Sequence, residues 1–162
     1  MKSPLKVIGI DPGLADTGFG IVEGAGSRIE RYTFGTIRTH KAESLASRLN
    51  RIFSELSSIL NAERPNLMVI EDVFSLKQYP KSGIALGKVS GVILVAGAQN
   101  GLQTVELPAR EAKQVLTGNG NANKAQMEQA VRHFLKRDRA ITPSHASDAL
   151  ALALVGLLRH VR

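Results

Sequence analysis

The chain has 162 residues, 43% hydrophobic and 22% charged, the proportions of one globular domain with a substantial core. Its 21 Lys and Arg outweigh 14 Asp and Glu, and the resulting net charge of +7 favours nucleic acid or another polyanion as partner. It contains no cysteine, which excludes disulfides, iron–sulfur clusters and cysteine-based zinc sites.

Leu5–Asp11 reads as a buried strand that runs into the turn Asp11-Pro12-Gly13. Gly18–Glu23 is a second strand, Gly24-Ala25-Gly26-Ser27 a hairpin turn, and Ile29–Thr39 a third strand. Turns this short force the three strands to be antiparallel. The period then changes: Leu45, Leu49, Ile52, Phe53, Leu56 and Ile59 mark an amphipathic helix over Glu43–Leu60, stopped by Pro65. Leu67–Asp72 is apolar throughout until its acidic end, as a strand buried on both faces is.

A loop, Val73–Pro80, leads to a helix from about Lys81 to Asn100, and Thr104–Leu107 is a short strand. Pro108 opens the next helix at its first-turn position. After the Gly- and Asn-rich loop Thr117–Ala122, Asn123 is an N-cap and Gln126 completes a capping box. Met127, Val131, Phe134 and Leu135 form that helix's apolar stripe. The last helix runs from about Ser144 to His160, and its small-residue face of Ala146, Ala149, Ala153 and Gly156 predicts close packing on the sheet.

The order βββαβαβααα predicts an α/β fold: a mixed five-stranded sheet with helices on both faces, in one domain over residues 1–162. The short apolar run Val7–Ile10 closes at once in Asp-Pro-Gly, unlike a signal peptide. The longest apolar stretch, Val89–Ala98, is about half the ~20 residues of a membrane span. No membrane association and a cytoplasmic location are expected.

The acidic residues fall where chemistry would need them. Asp11 closes the first strand, Glu71 closes the fourth, and His145 and Asp148 lie three apart on the first turn of the last helix. Each has an ordinary explanation: Asp before Pro-Gly is a common turn former, and an acid near a helix N-terminus is favourably placed. Glu71 is harder to dismiss, because Glu suits the end of a buried strand poorly. Alternation sends Glu71 and Asp72 to opposite faces, so only one joins a cleft, and Glu71 is the choice.

Three carboxylates and an imidazole suit divalent metals. Two Mg²⁺ or Mn²⁺ ions roughly 4 Å apart would neutralise the carboxylates and clamp a phosphodiester.

These segments together resemble a known family. Gly9-Ile10-Asp11-Pro12-Gly13 with Thr17-Gly18-Phe19-Gly20, then Ile70-Glu71-Asp72-Val73-Phe74, then His145-Ala146-Ser147-Asp148-Ala149-Leu150, are similar to three motifs of the RuvC family of Holliday-junction resolvases. The similarity spans nearly the whole chain. It implies a ribonuclease-H-like fold and a homodimeric endonuclease that cuts four-way DNA junctions symmetrically in recombination and repair. It also implies partnership with the RuvA–RuvB branch-migration complex.

The family's four metal-binding catalytic positions match Asp11, Glu71, His145 and Asp148. Some members carry Asp where this chain has His145, which leaves ligand and proton carrier both open for that residue. Phe74 matches a position that touches bases, and Lys113 and Lys124 match basic positions near the site. From the residues alone, Phe74 either stacks on an unpaired base or anchors its loop. Lys124, at a helix N-terminus, is a natural phosphate contact.

Two features carry alternatives. Gly83, Gly87 and Gly91 recur on one face of their helix, and close backbone approach must offset their cost, either to the protein's own sheet or to a second subunit. Asp-x-Gly after a first strand also occurs in phosphate-binding ATPases and sugar kinases, but that fold needs two such domains and this chain has room for one. Another ribonuclease-H-like nuclease, cutting hybrids or flaps, is the nearer rival. A junction-binding protein without catalysis is a further one, opposed by the intact Asp11, Glu71 and Asp148.

Overall fold

The computed structural model describes residues 3–73 and 80–160. In chain order the elements are β1 (Leu5–Asp11), β2 (Asp16–Ala25), β3 (Arg28–Arg38), α1 (Leu45–Glu63), β4 (Leu67–Glu71), α2 (Pro80–Gln99), β5 (Gln103–Leu107), α3 (Ala109–Thr117), α4 (Lys124–Leu135) and α5 (Ser144–Arg159). The sheet order is β3-β2-β1-β4-β5. The first three strands pair antiparallel, while β1–β4 and β4–β5 are parallel. The expected mixed five-stranded sheet is present.

Side-chain alternation divides the core into two layers. Ile8 and Ile10 of β1 and Met68 and Ile70 of β4 face α1 and α2, packing with Ile52, Leu56, Val89 and Ile93. Val7, Leu67 and Val69 face the other way, into a layer with α3, α4 and α5. Residues 67–70 are buried throughout, as expected of a strand covered on both faces.

The small-residue face of α5 meets a matching furrow in the sheet. A Cβ added to Gly9 would stand 2.0 Å from the Ala149 carbonyl oxygen, and one on Gly18 would stand 2.1 Å from that of His145. One on Gly20 would lie 2.7 Å from the Leu150 amide nitrogen. The helix backbone therefore rests directly on β1 and β2, closer than any side chain permits.

The helix ends follow local chemistry. Asn123 and Gln126 form the full reciprocal capping box of α4. Pro108 is the N-cap of α3, one position before the first-turn place expected for it. α1 continues to Glu63 because Arg64 takes the left-handed conformation and closes the helix onto Leu60. Proline at 65 restrains only its neighbour, so it does not end the helix earlier.

The glycine stripe of α2 does not pack on the protein's own sheet. Among the described residues, a Cβ at Gly83, Gly87 or Gly91 meets nothing within 4 Å, and Ile84 and Val95 on the same side are 63% and 50% exposed. Among the described residues, α2 is also the one helix long and apolar enough, by length and composition, to cross a membrane. Its opposite face, with Val89, Ile93 and Ala96, is buried in the core.

Candidate active site

Parallel pairing of β1 with β4 sets Ile10 beside Ile70, so Asp11 and Glu71 follow side by side at the carboxyl ends of adjacent strands. Ile10 and Ile70 point to the α1–α2 layer, so by alternation Asp11 and Glu71 point to the α5 side. Gly18 lies opposite Asp11 in the β1–β2 register, and it is over Gly18 that the first turn of α5 sits. That contact brings His145 and Asp148 to the two strand ends. Thr17 holds the intervening turn: its hydroxyl donates to the Gly13 carbonyl at 2.7 Å. Crevices outside the carboxyl ends of strands are where open α/β sheets build their sites.

All four predicted residues line one cavity of about 380 Å³, together with Lys113, Lys124 and a floor that includes Leu86, Met127 and Leu152. A larger hollow of about 580 Å³ between α3 and α4 is lined by Asn119, Gln126, His133 and their neighbours and holds no carboxylate, so it lacks this chemistry. Phe74 lies outside the described residues.

Asp11 is 6% exposed, and its Oδ2 meets His145 Nδ1 at 2.7 Å. Burial raises the Asp11 carboxyl above its ordinary range, opposed by the His145 hydrogen bond and reinforced by the charge of Asp148. Glu71 is pushed further, to about 8 from 4.5, first by burial and then by the charge of Asp11 beside it. The two carboxyls stand at neighbouring strand ends and cannot both ionise cheaply. Lys124, the first residue of α4, places Nζ 3.6 Å from Asp148 Oδ2 and lowers the burden on Glu71.

Among the described residues no three His, Asp or Glu side chains are drawn together as a ready metal cage. The reason is local: Asp11 is engaged with His145 and Asp148 with Lys124, while a proton does for Glu71 what a cation would do. The donor set fits Mg²⁺ or Mn²⁺ all the same. Three carboxylates and an imidazole on one cavity, two of the carboxyls held above their ordinary range, are what a divalent ion would relieve.

Sequence reasoning missed the partner of Lys124: Asp148 lies 24 positions away on another helix, and no spacing rule joins them. It also missed the sheet half of the α5 furrow, although Gly9, Gly18 and Gly20 alternate along two strands and gave a signal of close approach.

A β3-β2-β1-β4-β5 sheet with helices on both faces, carrying acidic residues on the two central strands and the last helix, defines a ribonuclease-H-like nuclease. Residues 7–156 match the family model described as crossover junction endodeoxyribonuclease RuvC. A relative of that description from Magnetococcus marinus is 39% identical over 96% of this chain and 85% of its own length. One from Natranaerobius thermophilus is 34% identical over 91% of each. The solved structure of T. thermophilus RuvC in complex with Holliday junction substrate superposes with a TM-score of 0.91 at 29% identity, covering 97% of this chain and 95% of that one. A second Thermus thermophilus RuvC structure gives 0.82 at 32% identity, covering 93% and 92%. The chain belongs to the RuvC family of crossover junction endodeoxyribonucleases.

Proposed function

We propose that this RuvC-family endonuclease resolves four-way DNA junctions in recombination and repair, cutting two strands of like polarity by metal-assisted phosphodiester hydrolysis. The observation that carries the reading is the convergence of Asp11, Glu71, His145 and Asp148 on one cavity with Lys113 and Lys124 at its walls. Family membership and the fold shared with the junction-bound T. thermophilus protein support the substrate.

Two Mg²⁺ or Mn²⁺ ions held by Asp11, Glu71, His145 and Asp148 would supply an activated water and charge stabilisation at the leaving 3′ oxygen. The chain's own groups prepare that chemistry. Asp11 accepts from His145 Nδ1, which fixes the ring and leaves Nε2 for an ion or a proton. Lys113 and Lys124 hold the phosphates of the strand to be cut. Phe74 stacks on a base at the crossover, where pairing is already strained.

Cutting both strands needs two such sites related by a two-fold axis, and the protein works as a homodimer. The open face of α2, where Gly83, Gly87 and Gly91 meet nothing among the described residues and Ile84 and Val95 are exposed, supports that association. Its place is with the chromosomal DNA in the cytoplasm, working after the RuvA–RuvB branch-migration complex.

The test is a synthetic four-way junction, an RNA–DNA hybrid and a flap, each incubated with and without Mg²⁺ or Mn²⁺. Paired symmetric nicks in the junction only, dependent on the metal, are expected. Equal cleavage of the hybrid or flap would replace the reading with a less selective nuclease.

A further inference from the structure

We propose that Lys124 is a placeholder for a metal ion, released by DNA, so that metal and junction bind cooperatively through this one side chain. The inference rests on the metal-dependent reading above. Its basis is the ion pair between Lys124 Nζ and Asp148 Oδ2 at 3.6 Å, within the cavity that also holds Asp11 and Glu71. Asp148 lacks the near-complete burial of Asp11, and Lys124 is 77% exposed, so this pair is weakly held. It is strong enough to occupy the carboxylate and weak enough for a stronger anion to break. A DNA phosphate approaching the mouth of the cavity is such an anion.

Two things follow when the ammonium turns outward to a phosphate. Asp148 loses its internal partner and gains capacity for a cation. The repulsion between the ammonium and an incoming divalent ion is also removed. A unit charge about 5 Å from a divalent ion in a water-like medium at low ionic strength weakens binding by roughly tenfold. The coupling is reciprocal, so metal in the site tightens the junction by the same factor. Lys113 lines the same cavity, and the ion pair to Asp148 is made by Lys124. The two lysines therefore differ in kind: Lys113 contributes field, and Lys124 exchanges partners. In the free protein the site keeps its acids neutralised from within, which guards against cutting before DNA is seated.

The experiment measures Mn²⁺ binding by electron paramagnetic resonance of free Mn²⁺, without DNA and with a four-way junction made nuclease-resistant by phosphorothioate linkages at the crossover. The junction's own Mn²⁺ uptake is measured separately. Without DNA, Lys124→Gln should bind Mn²⁺ about tenfold tighter than wild type. Lys124→Arg, which keeps the charge, should match wild type. Lys113→Gln should change affinity less than about threefold. With the junction, wild-type affinity should rise, and that rise should shrink by about tenfold in Lys124→Gln. Circular dichroism confirms the fold of each variant. Unchanged or weaker Mn²⁺ binding by Lys124→Gln without DNA overturns the proposal. So does a Lys113→Gln effect as large as that of Lys124→Gln, which would assign the gain to general charge. A wild-type protein that binds Mn²⁺ in neither state would overturn the metal-dependent reading together with it.

Discussion

Replacing Glu71 should flatten the pH dependence of stability in the metal-free protein. Burial, and then the charge of Asp11, hold Glu71 at about 8 against an ordinary 4.5. A carboxyl raised in the fold binds more protons folded than unfolded. Its stabilising contribution is therefore fully present below about 4.5 and is lost as pH rises towards about 8. Inside that window each pH unit removes at most about 1.4 kcal/mol, so moving from pH 5.5 to 7.5 should remove on the order of 2–3 kcal/mol. Because the charge of Asp11 helps raise Glu71, the loss belongs to the pair.

In Glu71→Gln the titrating carboxyl is gone, and this component should vanish. Urea unfolding followed by circular dichroism, in EDTA at pH 5.5, 6.5 and 7.5, gives the difference between the two proteins. Titrating groups away from this pair are common to both proteins and cancel. Parallel stability curves for wild type and variant would refute the raised Glu71 carboxyl. Saturating Mn²⁺ should reverse the wild-type trend, since metal binding requires the deprotonated ligands.

Asp11→Asn, Glu71→Gln and Asp148→Asn should each lower junction cleavage by at least about a hundredfold while leaving junction binding intact or tighter, by gel shift and nicking assays on the same preparations. His145→Asp should retain activity and move preference from Mn²⁺ towards Mg²⁺, with His145→Ala much worse; an Asp variant as inactive as the Ala variant assigns His145 to proton transfer. Gly87→Leu should abolish dimerisation in sedimentation without lowering the melting temperature of the monomer, because its side chain enters open space and the helix gains up to about 1 kcal/mol in propensity. Phe74→Ala should slow cleavage of an intact junction more than of one already unpaired at the crossover, by the roughly 1–3 kcal/mol of one stacked base; an equal loss on both would make Phe74 an anchor for its loop.

Much of this architecture was legible because local rules agreed with one another. The strand meander, the Asn123–Gln126 capping box and the small face of α5 were all readable from residue types at fixed offsets. The candidate site residues stood out because acids closed apolar strands, where packing alone does not favour them. What local rules could not reach was adjacency. That Asp11 and Glu71 lie side by side depends on β1 pairing with β4 across two intervening strands and a helix. That Asp148 is held by Lys124 depends on two helices meeting at their first turns. The partner of the α2 glycines was undecidable from the stripe itself, since own sheet and second subunit ask the same of a helix face. The empty space beside those glycines removes the first option.

Eleven of the sixteen residues of α5 are buried, and the same helix carries His145 and Asp148. It is the central pillar of one core layer and the mount for half of the site. Asp11 and Glu71 stay with the sheet. A single methyl group beneath the helix, at Gly9 or Gly20, would meet the helix backbone at 2.0 to 2.7 Å and force one half of the site to shift against the other. A change at these glycines therefore disturbs the geometry of the site together with the packing of this layer. The layer between the sheet and α1 carries no such mount, and there the chain has wider licence to exchange one aliphatic residue for another at constant volume. One sheet separates a side open to drift from a side that is not.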